Sequence, residues 1–162
     1  LTALGTATAE LEHLSRTDSL TGAMNRRAFG EAAEQLWSAA GGRQPVVAMV
    51  DIDQFKATND RWGHAVGDLA LQVLASSLIS ALDGAGVVGR LGGDEFAVLA
   101  LVDPMDVPGL TRRLTAACDL DTTVDGLRAT IGLVVNPEAT TVEQALSRAD
   151  DELYHGKRNT TR

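Results

Sequence analysis

The sequence predicts an α+β domain of the split βαβ, ferredoxin-like type: a central antiparallel sheet with helices packed on it, preceded by an N-terminal helix. Three observations carry this. From residue 46 onward, segments of strand and helix character follow one another as β-α-β-β-α-β, and one more helix closes the chain. The run VVAMV at 46–50 is apolar throughout, as a strand buried on both faces must be. GRLGGDEFAVLA at 89–100 sets two glycines and two acids between apolar runs, the pattern of a hairpin.

The opening segment has Leu4, Leu11 and Leu14 at a heptad step and a three-residue step. It reads as an amphipathic connector helix over 1–17, leaving 18–162 as the domain proper. Thr21-Gly22 breaks that pattern. Asn25 is then a suitable N-cap for a helix whose apolar stripe is Phe29, Ala33, Leu36 and Trp37. Glycines and a proline at 41–45 end it. The strand at 46–50 stops where Asp51 and Asp53 begin. The polar stretch DIDQFKATNDRWGHAVGD (51–68) reads as a loop, and a helix follows from about Asp68 to Leu82 with Ala70, Val73, Leu74, Ser77, Leu78 and Ala81 inward.

VVGRL (87–91) and FAVLALV (96–102) are the hairpin strands, joined by Gly92-Gly93-Asp94-Glu95. Pro108 opens the next helix, with Leu110, Leu114 and Ala117 inward. Asp125-Gly126 marks a turn, and LRATIGLVV (127–135) is the last strand. A capping box, Thr140-x-x-Glu143, opens the final helix, which turns Val142, Ala145, Leu146, Ala149 and Leu153 inward.

The 162 residues suit one domain, with 44% hydrophobic and 22% charged residues. The net charge of -8 argues against binding to nucleic acid, which needs a cationic surface. It leaves room for a phosphorylated small ligand if cations stand between ligand and protein. The longest apolar run, 96–102, is too short to span a bilayer, and no signal peptide is visible, so no direct membrane contact is expected. Cys118 is the single cysteine and reads as a buried structural thiol. A reducing, cytoplasmic location is the expectation for this segment, whether or not a longer protein is anchored in a membrane. The chain begins at Leu1 rather than Met, which is the expectation for a piece of a longer protein.

The predicted topology has a chemical consequence. A right-handed crossover makes the first two strands parallel, and the third can return between them. Asp51 then lies at the same sheet edge as Asp94 and Glu95, on strands about 4.8 Å apart. Gathering Asp51, Asp94 and either Asp53 or Glu95 costs like-charge repulsion, which a divalent cation removes. Mg²⁺ is ordinarily held by one or two carboxylates together with substrate phosphates. Two such ions would activate a hydroxyl and stabilise a leaving pyrophosphate. In the polar stretch that follows, Lys56 can meet a phosphate, and turning backbone N–H groups can form an anion nest. An amide at Asn59 and a carboxylate at Asp68 suit the donors and acceptors of a guanine edge. Each has a plainer reading: Asn59 as a turn residue, Asp68 as an N-cap, His64 as a packing or capping residue rather than a ligand contact.

Four blocks, DSLTGAMNRRAF (18–29), DIDQFKATNDRWGHAVGD (51–68), RLGGDEF (90–96) and RADDELYHGK (148–157), resemble the GGDEF domain of diguanylate cyclases over about residues 15–158. The resemblance implies a ferredoxin-like palm that joins two GTP molecules into cyclic di-GMP and releases two pyrophosphates. It implies that Asp51, Asp94 and the backbone carbonyl of Ile52 ligate Mg²⁺, with Mn²⁺ a possible substitute. Asp94 would help deprotonate the attacking 3′-hydroxyl, with Glu95 beside it. Asn59 and Asp68 would read guanine, and His64 would lie near the nucleotide. Phe55, Lys56, Gly92 and Gly93 would follow the phosphates, and Lys157 would reach the terminal one. Lys157 runs directly into Arg158-Asn159, where relatives have a spacer and then Gly-Arg-Asn, so Arg158 is the candidate for the second phosphate-binding arginine. At the spacing where many relatives carry a product-inhibition motif, Arg-x-x-Asp, this chain has Asp83-Gly84-Ala85-Gly86, which predicts no feedback site there.

The resemblance thus predicts a GTP-using cyclase that works as a homodimer under an upstream sensory or signalling domain. The alternatives are a non-catalytic GTP-binding module that regulates a tethered domain, and a single-nucleotide cyclase.

Overall fold

The computed structural model describes residues 3–160. Its elements are α1 (Ala3–Leu14), α2 (Arg26–Ser38), β1 (Gln44–Ile52), α3 (Phe55–Trp62), α4 (His64–Leu82), β2 (Gly86–Gly92), β3 (Glu95–Val102), a 3₁₀ turn at Pro104–Asp106, α5 (Val107–Ala117), β4 (Ala129–Val135) and α6 (Val142–Thr160). The four strands form one sheet in the order β2-β3-β1-β4, with every neighbouring pair antiparallel. β3 does slot between β1 and β2, so the split βαβ expectation holds.

β1 is one of the two inner strands, and its side chains alternate between two apolar layers. Val46, Ala48, Val50 and Ile52 meet α4 and α5 through Leu71, Leu74, Leu78, Leu110 and Leu114. Val47 and Met49 meet α2 and α6 through Phe29, Ala33, Ala145, Ala149 and Leu153. Cys118 is buried in the first layer, where burial, followed by the charge of Asp53, pushes its thiol up to about 12. The structural reading of that thiol stands.

Local signals explain the starts of several helices. Asn25 adopts an extended conformation and its side chain accepts the N–H of Ala28 at 2.9 Å, as expected of an N-cap. Gly132 lets α6 lie directly on β4, because a Cβ there would overlap the backbone of Ala149 and Leu153. By length and composition α4 could cross a bilayer, but its buried face, from Gly67 and Ala70 to Leu82, is spent on the sheet and α5.

Several expectations need correction. The stretch after β1 is helical: α3 occupies Phe55–Trp62, and after Gly63 the chain re-enters a helix at His64. Asp68 is therefore more than a turn inside α4 and is not an N-cap. His64 is exposed at the start of that helix, not packed. The buried face of α4 includes Leu71, Ala75 and Leu82, whereas Val73 and Ser77 are only partly covered. The cap of α6 sits one residue later than expected. Thr141 Oγ1 accepts the N–H of Gln144 at 3.2 Å, while Gln144 Oε1 accepts from the N–H and hydroxyl of Thr140. In α1, Leu4 and Leu11 are exposed, and the side chain of Leu14 lies outside the described residues.

Candidate active site

β1 continues through Asp51 to Ile52 and stops before Asp53, so Asp51 is a strand residue held in register opposite Glu95 of β3 and Thr130 of β4. Gly92 pairs with Glu95, leaving Gly93-Asp94 as a two-residue loop. Gly93 has φ +35°, in the region glycine enters without a Cβ penalty, and this lets the turn close and raises Asp94 at its apex. Ile52 sends its side chain into the core, leaving its backbone for the site.

Asp51 and Asp94 come together. Burial, then a hydrogen bond to Asp94 and the charge of that group, push the Asp51 carboxyl up to about 6, against the opposing pull of Lys157. One oxygen of Asp51 lies 3.2 Å from Lys157 Nζ. The other, Oδ1, is buried without a hydrogen-bond partner among the described residues. Burial, followed by the charges of Asp150 and Asp51, raises Glu95 as well, and Arg26 pulls it back. Asp53 is differently placed: it accepts the Thr130 hydroxyl at 2.6 Å and stands 3.6 Å from Lys157. The arrangement is an acidic cluster with Lys157 and Arg26 for counter-charge and a buried acceptor without a partner among the described residues, and its donor set suits a hard divalent cation.

A second group forms where α3 meets α4. The side chain of Asn59 lies against Gly67, one residue before Asp68. Asn59 Oδ1 is buried and, like Asp51 Oδ1, has no hydrogen-bond partner among the described residues. Phe55 is half-buried at the same junction, while Lys56 and Asp68 are exposed. A groove of about 330 Å³ runs past Asp53, Arg61, Trp62 and the 124–128 loop, and neither Asp51 nor Asp94 lines it. Arg158 is exposed, its guanidinium 5.8 Å from the Tyr154 ring. Consecutive helical residues point about 100° apart, so it leaves the side of α6 from which Lys157 reaches β1.

Some residues that shape the site gave no local signal in the sequence. Arg90 donates to the Gly93 carbonyl through Nε and Nη2 at 2.9 and 2.7 Å, and its Nη1 meets Asp18 at 3.2 Å. Thr21 fixes Asp18 from the other side with its N–H and its hydroxyl. Arg26 takes the carbonyl of Leu91 at 3.2 Å. Two arginines therefore hold the strand end and turn that present Asp94. Asp18 and Arg90 both lie in conspicuous blocks, but a pairing across that separation is visible only after folding.

The family model for "Diguanylate cyclase, GGDEF domain" matches residues 15–162. The chain is 38% identical to the diguanylate cyclase DgcP of Escherichia coli (strain K12) over 164 residues, covering 94% of this chain and 48% of that protein. It is 34% identical to the cyclic di-GMP phosphodiesterase NbdA of Pseudomonas aeruginosa, covering 97% of this chain and 21% of that protein. The chain thus spans less than half of either relative. Among solved structures it is similar to the GGDEF domain of DgcB from Caulobacter crescentus in complex with c-di-GMP. The TM-score is 0.77 at 28% identity, covering 90% of this chain and 91% of that one.

Proposed function

The chain belongs to the GGDEF family of diguanylate cyclase domains, and from that premise we propose that it condenses two GTP molecules into cyclic di-GMP across a homodimer. The observation that carries the proposal is that the strand register sets Asp51 opposite Glu95, beside the turn that bears Asp94, with an Asp51 oxygen buried and without a hydrogen-bond partner among the described residues.

That buried oxygen, in a carboxylate set beside the turn that bears Asp94, fits a divalent ion. Asp51, Asp94 and the Ile52 carbonyl would hold Mg²⁺, or Mn²⁺ in its place, which when bound supplies charge stabilisation at the reacting phosphate and the leaving pyrophosphate. Asp94, at the turn apex, takes the proton from the attacking 3′-hydroxyl. That oxygen bonds to the α-phosphorus of the other GTP, and pyrophosphate departs. The same exchange in the opposite sense closes the ring. Glu95 stands beside the pair and adds to the negative charge that retains the cation.

Lys157, 3.2 Å from Asp51 and 3.6 Å from Asp53, turns to the terminal phosphate when GTP binds. Phe55 and Lys56 begin α3 beside the phosphates, whose charge its N-terminal N–H groups favour. Gly92 and Gly93 let the backbone approach closely. Asn59 and Asp68 read guanine, His64 lies near the nucleotide, and Arg158 acts as the second phosphate-binding arginine only if it leaves Tyr154. Asp83 to Gly86 offer no feedback site for the product.

One set of base-reading residues means one GTP per chain, so joining two GTP molecules requires two chains face to face. The exposed Leu4 and Leu11 of α1, a heptad apart, support a connector through which an upstream domain brings two copies together. We place the reaction in the cytoplasm. The test is a dimer forced through α1, incubated with GTP and Mg²⁺ and read by product mass. Cyclic di-GMP is expected. Bound but unconverted GTP would instead mean a regulatory module, and cyclic GMP a single-nucleotide cyclase.

A further inference from the structure

The open groove of about 330 Å³ adjoins the start of α3. Asp53 and Gln54, the two residues before that helix, line it together with Arg61, Arg128 and Thr160, and Asp125 is the second acid on its wall. Strand register places Arg128 there. Asp51 pairs with Thr130 and Ile52 with Ala129, and the N–H of Asp53 donates to the Arg128 carbonyl at 2.9 Å, so the next step sets Arg128 opposite Asp53. Alternate strand residues share a face. Arg128 therefore stands on the face of Asp51, Asp53 and Thr130, the one Lys157 reaches from α6. Thr160, a turn beyond Lys157, lines the same groove. The Arg128 side chain is accessible, 63% exposed, and its Nη1 lies 3.4 Å from Oδ2 of an Asp119 that is itself 50% exposed. Such a pair contributes little, and a phosphate, which accepts two guanidinium hydrogen bonds at once, displaces it readily. The other arginines are differently engaged. Arg61 stands six residues along α3 from its first residue, about 9 Å of helix, with its guanidinium 4.6 Å over the Trp62 ring. Arg158 faces Tyr154.

We propose that Arg128 is the arginine that grips the terminal phosphate of the nucleotide, leaving Asp119 to do so and approaching from the β4 side while Lys157 approaches from α6. This deepens the proposed function and rests on the phosphate tail lying at the start of α3. Lys157 acts there as a point charge, whereas the planar fork of Arg128 takes two phosphate oxygens and fixes their direction. Arg128 thereby makes the site count phosphates: it adds nothing to the binding of a monophosphate and most to that of a triphosphate.

The test titrates wild type, Arg128→Ala, Arg128→Lys, Arg61→Ala and Lys157→Ala calorimetrically in Mg²⁺ with GMP and with the α,β-methylene analogues of GDP and GTP, and melts each protein without ligand. Arg128→Ala is expected to weaken the triphosphate analogue by about ten- to a hundredfold, the scale of hydrogen bonds to a charged group, and to leave GMP and the melting temperature nearly unchanged. Arg128→Lys, which keeps the charge and loses the fork, should fall between the two. Arg61→Ala removes the same charge from the same groove and should bind the triphosphate like wild type. Three results would overturn the proposal: an Arg128→Ala protein that binds the triphosphate like wild type, an equal loss for GMP and for the triphosphate, or an equal loss in Arg61→Ala, which would mean a diffuse field and not a contact. Lys157→Ala separates this proposal from the reading beneath it. If that variant loses triphosphate affinity and Arg128→Ala does not, Arg128 alone is wrong. If neither loses it and wild type binds all three nucleotides alike, the phosphate tail is not at this edge and both fall together.

Discussion

Asp94 occupies the second position of a two-residue turn, outside both hydrophobic layers, so its side chain does not support the core. Asp94→Ala should lower turnover by at least about a hundredfold, the scale for removing one pre-organised electrostatic group, while the melting temperature stays nearly unchanged. Turnover assays beside thermal melts check this. Asp51 makes a different prediction because its carboxyl is pushed up to about 6 from 3.8. A carboxyl raised in the folded state stabilises the fold below its unfolded value and loses that contribution as pH rises through the folded one. Cation-free protein should therefore lose the Asp51 contribution between about pH 4 and pH 6. Asp18, held low by Thr21 and Arg90 against its own burial, slopes the opposite way. The difference between wild type and Asp51→Asn isolates the Asp51 effect, and added Mg²⁺ above pH 6 should restore stability to wild type only. Equal pH slopes for the two proteins would contradict the close approach to Asp94. At this scale the placement of Asp51, Asp94 and Glu95 at one sheet edge was legible in the sequence, because motif and strand order coincide there. The sequence was mute about Asp18 and Arg90, since a salt bridge between distant segments has no periodicity to reveal it.

Among the elements, α6 carries Lys157 to the acids, and Gly132 sets how closely it lies on β4. Gly132→Ala meets backbone atoms of Ala149 and Leu153, which cannot rotate aside. It should cost about 1–3 kcal/mol, the range for overpacking a filled interior, and should also move Lys157 away from Asp51. Denaturant titration measures the first effect, and a cation-free pH melt that moves the Asp51 step measures the second. The strands were legible because the runs 46–50 in β1 and 96–102 in β3 are apolar without interruption and the Gly-Gly-Asp-Glu turn has a clear signature. α3 was not, for a physical reason. Residues 55–62 bury only Thr58 fully, so no apolar stripe announces the helix, and tertiary packing against α4 holds it in place of propensity. The same blind spot displaced the start of α4 and made Asp68 look like a cap. The α6 cap moved by one residue because Thr140 and Thr141 are both capable caps, and only the side chain of Gln144 decides between them.

For the whole molecule, the split βαβ order is what brings residues 51 and 94 to one edge, and it followed from the order of elements alone. The dimer did not follow from the order of elements. The proposal of one rests on the proposed guanine-reading residues of each chain and on the exposed Leu4 and Leu11 of α1. Activity per chain should accordingly rise with protein concentration and become independent of dilution once α1 is cross-linked. Constant specific activity on dilution of the uncross-linked chain would contradict a shared site.

The claim on which the rest stands is that Asp51 and Asp94 together retain a divalent ion beside the nucleotide phosphates. The most direct measurement is a crystal structure with Mn²⁺ and an α,β-methylene GTP analogue, using the anomalous signal of manganese to locate the ion. The account predicts an anomalous peak bridging oxygens of both carboxylates and the phosphates, with Lys157 drawn off Asp51. A bound nucleotide with the two carboxylates apart and no metal peak between them would contradict it.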